Sequence, residues 1–300
     1  MGADLRIVDP HVHLWDLSRD RYGWLQDEPL PNNPAGDMSP IARRDYLPDD
    51  YRADTAGWNI DKMVHVECGL PIGRQLAETD WLQSLADDTG CPQGIVAGAD
   101  LLDPDLDALL EAHAARPNVR GVRQIVCWHR DPLKTYTPRD LLADPAWVGG
   151  FAKLARHDLS FDLQLYPSQM ATAAVIASRH PDTPVIVNHA GLPTDRDEAG
   201  MERWRTGLRL LAAQPQVSIK ISGLGITDRD WTVASIRPVV LECIDVFGTD
   251  RAMFASDFPV ERVHGAFDAF FSAFDTITAD FTADERDRLF ARNAEAIYRI

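Results

Sequence analysis

The sequence predicts an α/β protein, a (β/α)8 (TIM) barrel, on three observations. Eight short apolar runs rich in β-branched residues follow one another, helical patterns separate them, and 300 residues suffice for one barrel-sized domain spanning 1–300. The runs are "LRIVDPHVH" from Leu5, "KMVHVEC" from Lys62, "QGIVAGAD" from Gln93 and "VRGVRQIV" from Val119. They continue with "LSFDLQLY" from Leu159, "TPVIVNHA" from Thr183, "QVSIKISG" from Gln216 and "RAMFASDF" from Arg251. An open doubly wound sheet is the alternative, and the first run lacks the Gly-rich dinucleotide fingerprint that would favour it.

Helical patterns fill the gaps: "GRQLAETDWLQSLADDTG", "PDLDALLEAHAARP", "PAWVGGFAKLARHD", "PSQMATAAVIASRHP", "EAGMERWRTGLRLLAAQP" and "WTVASIRPVVLECIDVFG". Gly90, Pro117, Pro181 and Gly248 supply stop signals. Pro238, inside the last segment, marks a kink or a helix start, because proline lacks the amide proton that an interior helical turn uses. The closing segment "TADERDRLFARNAEAIYRI" opens with Thr282 and, three residues on, Glu285, as a capping box requires. One stretch breaks the rhythm: residues 14–57 join run one to run two through many prolines and aromatics. Loops this long are functional or disordered. Trp15, Tyr22, Trp24, Tyr46 and Tyr51 argue for a packed loop over the barrel mouth.

Composition bounds the function. The chain is 45% hydrophobic and 25% charged, with no apolar run long enough to span a bilayer. "MGADLR" is neither a secretory leader nor a myristoylation signal. Cys68, Cys91, Cys127 and Cys243 are dispersed and form no CxxC, which argues against a zinc ribbon or disulfide framework and for a reducing cytoplasm. A net charge of −16 repels phosphate backbones, so neither nucleic acid nor membrane is an expected partner. An anionic substrate would need local arginines. Arg43, Arg44 and Arg130 are on offer, and the oligomeric state is not legible.

Barrel chemistry sits at the C-terminal ends of the strands, so the polar groups ending each run are the candidates. Run one ends in His11 and His13, which in an extended strand project from one face about 7 Å apart along the backbone. Run two carries His65 and Glu67, run four Arg123 and Gln124, and run five Gln164 and Tyr166. Runs six to eight end in Asn188 and His189, Lys220 and Ser222, and Asp257. Each has a structural reading: half-buried loop histidines, a helix-capping aspartate, a turn histidine. Runs one and eight become neighbours when a barrel closes, so His11, His13 and Asp257 meet at one rim and His189 can face them. Imidazoles with one carboxylate either bind a divalent metal or hold a carbonyl while the carboxylate deprotonates water.

On "DPHVHLWD", "VRGVRQ", "VIVNHAGLP", "VSIKISGL" and "FGTDRAMFASDFPV", in that order, the sequence resembles the amidohydrolase superfamily in its lactone-hydrolase branch, which acts on sugar lactones and pyrone dicarboxylate lactones. The resemblance implies that His11 and His13 are the paired histidines, His189 the later one, and Asp257 the aspartate that takes a proton from the attacking water. It also implies that Arg123 contacts substrate; its structural alternative is pairing with a neighbouring acid. Gln164, Tyr166, His129 and Trp15 are weaker candidates for the pocket wall. The metal-rich branches carry a lysine after strand four and a histidine after strand five. Arg123, Gln124, Gln164 and Tyr166 stand there instead, so a binuclear centre is not expected. Either no cofactor is required, or one zinc is held by His11, His13, His189 and Asp257.

The expected activity is therefore hydrolysis of a small-molecule lactone, a sugar lactone first, to its hydroxy acid. A metal-dependent decarboxylase of the same superfamily is the second reading and a non-catalytic binding barrel the third. Lys220, if it points inward, is expected to form a structural ion pair, with Glu67 as its partner.

Overall fold

A computed structural model describes residues 5–300; residues 1–4, where the expectations about a leader and an acylation signal begin, lie outside the described residues. Eight parallel strands lie in the order β1-β2-β3-β4-β5-β6-β7-β8, each joined to its sequence neighbour. They are β1 Arg6–Val12, β2 Asn59–Val66, β3 Gly94–Gly98, β4 Val119–Arg123, β5 Ser160–Leu163, β6 Val185–Val187, β7 Val217–Ile221 and β8 Ala252–Phe254. Just beyond β8 the chain meets β1: the Asp257 amide donates to the His11 carbonyl (2.9 Å) and the His13 amide to that of Phe258 (2.8 Å). The expected barrel forms, and its closing bonds lie beside the proposed rim.

Strand alternation divides the core. On β7, Ile219 and Ile221 join the large hydrophobic cluster, while fully buried Lys220 reaches His11 and Asp162 inside the barrel. A second apolar cluster gathers Val8, Val64, Val66, Val96, Ile186 and Met253 with Ala291, Ala294 and Tyr298. The closing segment thus plugs the barrel interior. It runs as helix Ala283–Asp287, a π turn Arg288–Arg292 and helix Asn293–Tyr298, with the Thr282–Glu285 capping box formed as predicted. Gly121 on β4 is obligatory in another way, since a Cβ there would stand 2.2 Å from Ser160 Oγ.

One helical expectation is narrowed and one helix is added. The helix around Pro238 runs from Val233 to Phe247 and starts at a Thr232 cap, so the proline lies in its interior rather than at its start. A helix at Phe267–Ile277 was not anticipated; Phe267, Phe270, Phe271, Phe274 and Ile277 form its buried face. The loop after β1 contains short helices at Gly23–Gln26 and Pro48–Asp54. It is packed, with Trp15, Tyr22, Tyr46 and Tyr51 all buried. The Tyr51 hydroxyl donates to buried Asp9 of β1 (2.8 Å), and the Trp24 indole to the Cys68 carbonyl after β2 (2.8 Å). No helix among the described residues is long and apolar enough to cross a membrane, and all four cysteines are free and buried.

Candidate active site

The site begins with the end of β1. Its pairing with β2 is irregular between Asp9 and Val12, and His13 lies beyond the strand. The two imidazoles therefore converge, with ring centroids 4.9 Å apart, instead of standing in line about 7 Å apart as a flat strand would hold them. His189 follows β6 and Asp257 follows β8, both at positive φ, +54° and +60°. Left-handed backbone at residues other than glycine costs energy and persists where the surroundings enforce it. At His189 the enforcement is visible: Gly223, φ +62°, leaves room that a Cβ would fill at 2.7 Å from His189 Cβ.

Three imidazoles meet one carboxylate oxygen. Nε2 of His13, His11 and His189 lies 3.2, 3.4 and 3.9 Å from Asp257 Oδ1. Asp257 Oδ2 is buried and has no hydrogen-bond partner among the described residues. Burial pushes the Asp257 carboxyl up, but His189, the His13 hydrogen bond and the Arg123 charge together bring it below the usual range, so it is a carboxylate at neutral pH. Burial lowers His189 to about 4. Burial and the Lys220 charge likewise push His11 well down, leaving both rings neutral.

Around this centre the partners are fixed. His13 Nδ1 donates to the Val66 carbonyl (2.7 Å), and His189 Nδ1 bonds Ser222 Oγ (3.0 Å). Arg123 donates from Nε to Glu67 Oε1 (2.6 Å) and from Nη1 to Gln164 Oε1 (3.2 Å), and Nη1 also lies 3.4 Å from His11 Nε2. Lys220 contradicts its expected pairing. Its Nζ is 2.5 Å from Asp162 Oδ1, because Glu67 is already engaged by Arg123 while Asp162 points inward from β5. Asp162 also accepts from Asn188 and from Tyr298. Lys220 Nζ stands 3.3 Å from His11 Nδ1, and an ammonium there donates, leaving the hydrogen of the neutral ring on Nε2, towards Asp257.

A cavity of about 390 Å³ opens onto this group. His13, His189, Asp257, Arg123, Gln164 and Glu67 line its inner part. Trp24 and residues 32–35 of the long loop line the outer part, with Ile125, Thr135 and Tyr136 from the segment after β4. His11 is completely buried and does not line it; it stands behind Asp257. Neither do three other sequence candidates. Trp15 is buried, donates to the Arg44 carbonyl (2.9 Å) and packs on Trp24, which takes the wall position instead. Tyr166 donates its hydroxyl to the Lys134 carbonyl, and His129 Nδ1 accepts from the Asp131 amide (3.0 Å). Trp24 and Tyr136 were missed. A tryptophan inside an aromatic-rich loop was the available signal for the first, whereas nothing local marked the second.

The donor set fits one divalent ion in spacing, since a tetrahedral ion with bonds of about 2.0–2.1 Å holds its ligands roughly 3.3 Å apart. His11, His189 and Asp257 offer ligand atoms within 4.8 Å of one another, and His13 Nε2 adjoins the same oxygen. His13 has its Nδ1–H anchored on a carbonyl, as metal-bound imidazoles require, but its Nε2 would have to give up the hydrogen bond to Asp257 before it could ligate. His11 would have to move its hydrogen to Nδ1, against Lys220.

Eight strands whose C-terminal ends bring imidazoles, an arginine and a carboxylate to one cavity define a barrel with an enzyme-like site. The chain belongs to the amidohydrolase family: the model described as Amidohydrolase matches residues 8–300. It is 44% identical to the uncharacterized protein y4mH of Sinorhizobium fredii, over 99% of this chain and 100% of that one. It is 30% identical to L-fucono-1,5-lactonase of Burkholderia multivorans, over 100% of this chain and 97% of that one. Among solved structures, an amidohydrolase from Burkholderia multivorans with bound HEPES matches with a TM-score of 0.80 at 28% identity, over 98% of this chain and 99% of that one. A second crystal form, with bound zinc, gives 0.79 at 26% identity over the same shares.

Proposed function

We propose that the protein is a lactonase that opens a neutral sugar lactone to its hydroxy acid. The observation that carries this is the gathering of three imidazoles on one oxygen of an ionised, cavity-lining Asp257 whose other oxygen has no partner. Oδ2 takes a proton from water as the water oxygen attacks the carbonyl carbon. Arg123 Nη1 and an N–H of neutral His189, its Nδ1 accepting from Ser222, stabilise the oxyanion that forms. His11, held by Lys220, orients the carboxylate from behind.

The wall supports the substrate class. Arg43, Arg44 and Arg130 do not line the cavity, and Arg123 is paired with Glu67. A dicarboxylate would meet no unpaired cation there and would approach a chain of charge −16. Asn33, Gln164 and Tyr136 suit hydroxyl groups, and the Trp24 indole offers a flat apolar surface to a sugar ring. The fuconolactonase relative supports the same choice. A divalent ion on His11, His189 and Asp257, with His13 beside the same carboxylate oxygen, is supported by the zinc-bound relative and would require Lys220 to release His11. Such an ion supplies Lewis acidity towards the carbonyl and a lowered water pKa.

The test is acid release from a panel of aldonolactones beside aromatic-pathway lactones. Wild type should prefer the sugar lactones, and Asp257→Asn should lower kcat roughly 10²–10⁴-fold with the fold intact by circular dichroism. A full-rate asparagine variant sinks the mechanism, and a preference for dicarboxylate lactones sinks the substrate class.

A further inference from the structure

Opening a lactone requires two proton movements: one off the attacking water, one onto the ring oxygen that leaves. Asp257 accounts for the first. Of the donors on the cavity wall, most are already committed. The Trp24 indole donates to the Cys68 carbonyl, Thr135 Oγ1 to the Thr137 carbonyl (2.8 Å), Asn32 to the Leu133 carbonyl (3.2 Å), and Arg123 to Glu67 and Gln164. Gln164 and Asn33 use their side-chain oxygens as acceptors and keep free amide nitrogens. Tyr136 keeps a free hydroxyl: it lines the cavity with Asp257, and its phenol bonds to no described residue.

An amide N–H can bind an oxygen but cannot give its proton away, whereas a phenol can do both. The Tyr136 ring is also held in place. Its backbone N–H donates to the Cys127 carbonyl (3.0 Å), and the ring packs against Cys127, Tyr166 and Leu192. We propose that Tyr136 is the general acid of the reaction, giving its phenolic proton to the ring oxygen as the carbon–oxygen bond breaks. The inference rests on the lactonase reading of the site.

The step balances. Water adds through oxygen to the carbonyl carbon, its proton goes to Asp257, and the π pair moves onto the carbonyl oxygen. When that pair re-forms the carbonyl, the bond to the ring oxygen breaks and its electrons stay on that oxygen, which takes the Tyr136 proton. The phenolate then recovers the proton held by Asp257. Burial raises the phenol above its ordinary value, with Cys127, Tyr166 and Asp257 adding to the effect, so Tyr136 carries its proton throughout the physiological range. A sugar alkoxide is more basic than an ordinary phenolate, and the cavity that raises the phenol desolvates the leaving alkoxide as well, so the order of basicity is kept and the proton moves to the ring oxygen.

Tyr136→Phe keeps the ring and removes only the proton, and the measurement is its dependence on the leaving alcohol. With a 6-deoxyaldono-1,5-lactone that the wild type opens, kcat should fall roughly 10²–10⁴-fold and KM change less than about threefold. With the 6,6,6-trifluoro analogue, whose leaving alcohol is more acidic and needs less help, the loss should shrink about tenfold or more. Asp257→Asn should show no such dependence. Equal losses on both lactones, or a loss carried by KM, would overturn the general-acid role and leave the lactonase reading standing. A wild type that opens no lactone overturns the lactonase reading itself, and this inference with it.

Discussion

The two halves of the barrel interior are built from the same strands and filled in opposite ways. Towards the N-terminal ends Val8, Val64, Val66, Val96, Ile186 and Met253 pack on the closing segment, an apolar plug whose stability is a matter of area removed from water. Towards the C-terminal ends the inward positions hold His11, His13, Arg123, Lys220, Asp162 and Asp257, all buried. Buried charge is costly unless paired, and the pairing here differs by depth. Midway, Asp162 is saturated by Lys220, Asn188 and Tyr298. At the mouth Asp257 keeps an oxygen without a partner. The lower pair is fully satisfied, whereas the upper carboxylate keeps the oxygen that the proposed mechanism uses.

Breaking the lower pair should have the largest effect on the fold. Lys220→Met preserves volume but strands Asp162 as an unpaired charge, and loss of one partner of a buried pair costs about 3–5 kcal/mol. Urea denaturation should show the midpoint fall accordingly. Asp257→Asn, at the other depth, should leave the midpoint unchanged or raise it, since it removes an incompletely satisfied carboxylate. If the two variants destabilise equally, the division into structural and reactive depths is wrong.

This division was only partly legible in the sequence. The eight strands were, because each combines β-branched residues with a boundary signal, and the observed strands lie within the quoted runs except that β2 begins at Asn59. The rim of His13, His189 and Asp257 was legible because parallel strands in sequential order place their ends together. The Lys220 partner was not, since several inward acids compete and the choice depends on register: Glu67 and Asp162 differ only in which cation reaches them first. Tyr166 was a candidate because it ends run five, but β5 itself ends at Leu163 and the chain turns through Pro167–Gln169. Tyr136 lies in a loop whose path is set by tertiary packing. The helix at Phe267–Ile277 does carry its signal, apolar at i, i+3, i+4 and i+7.

Glu78 sharpens the comparison from beside the site, as a buried carboxyl near the mouth with no cation of its own. Its Oε1 accepts from the Tyr22 hydroxyl (3.1 Å) and the Cys68 amide (3.2 Å). Burial, helped by the Glu67 charge, raises it from 4.5 to about 8. The folded state therefore holds this proton more tightly than the unfolded chain, so its contribution is full below about 4.5 and is lost as pH rises through about 8. Wild type should become easier to unfold in urea between pH 5 and pH 8.5, by less than the Lys220→Met effect, and Glu78→Gln should flatten that slope. An unchanged slope in the glutamine variant would mean that Glu78 is ionised in the folded protein.

The smallest effect is expected from removing metal, and it asks whether the reactive depth is complete without an ion. Spacing favours an ion, because His11, His189 and Asp257 offer ligand atoms within 4.8 Å of one another and His13 Nε2 lies 3.2 Å from Asp257 Oδ1. Hydrogen bonding opposes it at His11, where the Lys220 ammonium faces the nitrogen that a ligating imidazole would use to donate. The Arg123 guanidinium beside His11 Nε2 adds a second positive charge against a divalent cation. An ester carbonyl is also reactive enough to be opened by an Asp-activated water with N–H donors on the oxyanion. Dialysis against a chelator should therefore leave lactone hydrolysis within about twofold of the starting rate, because the oxyanion donors belong to the protein. Metal analysis before and after dialysis shows whether an ion left. Lasting loss of activity, restored by zinc, would mean that Lys220 releases His11 to the metal and that the upper half of the barrel is completed by a cation rather than by Lys220 and Arg123.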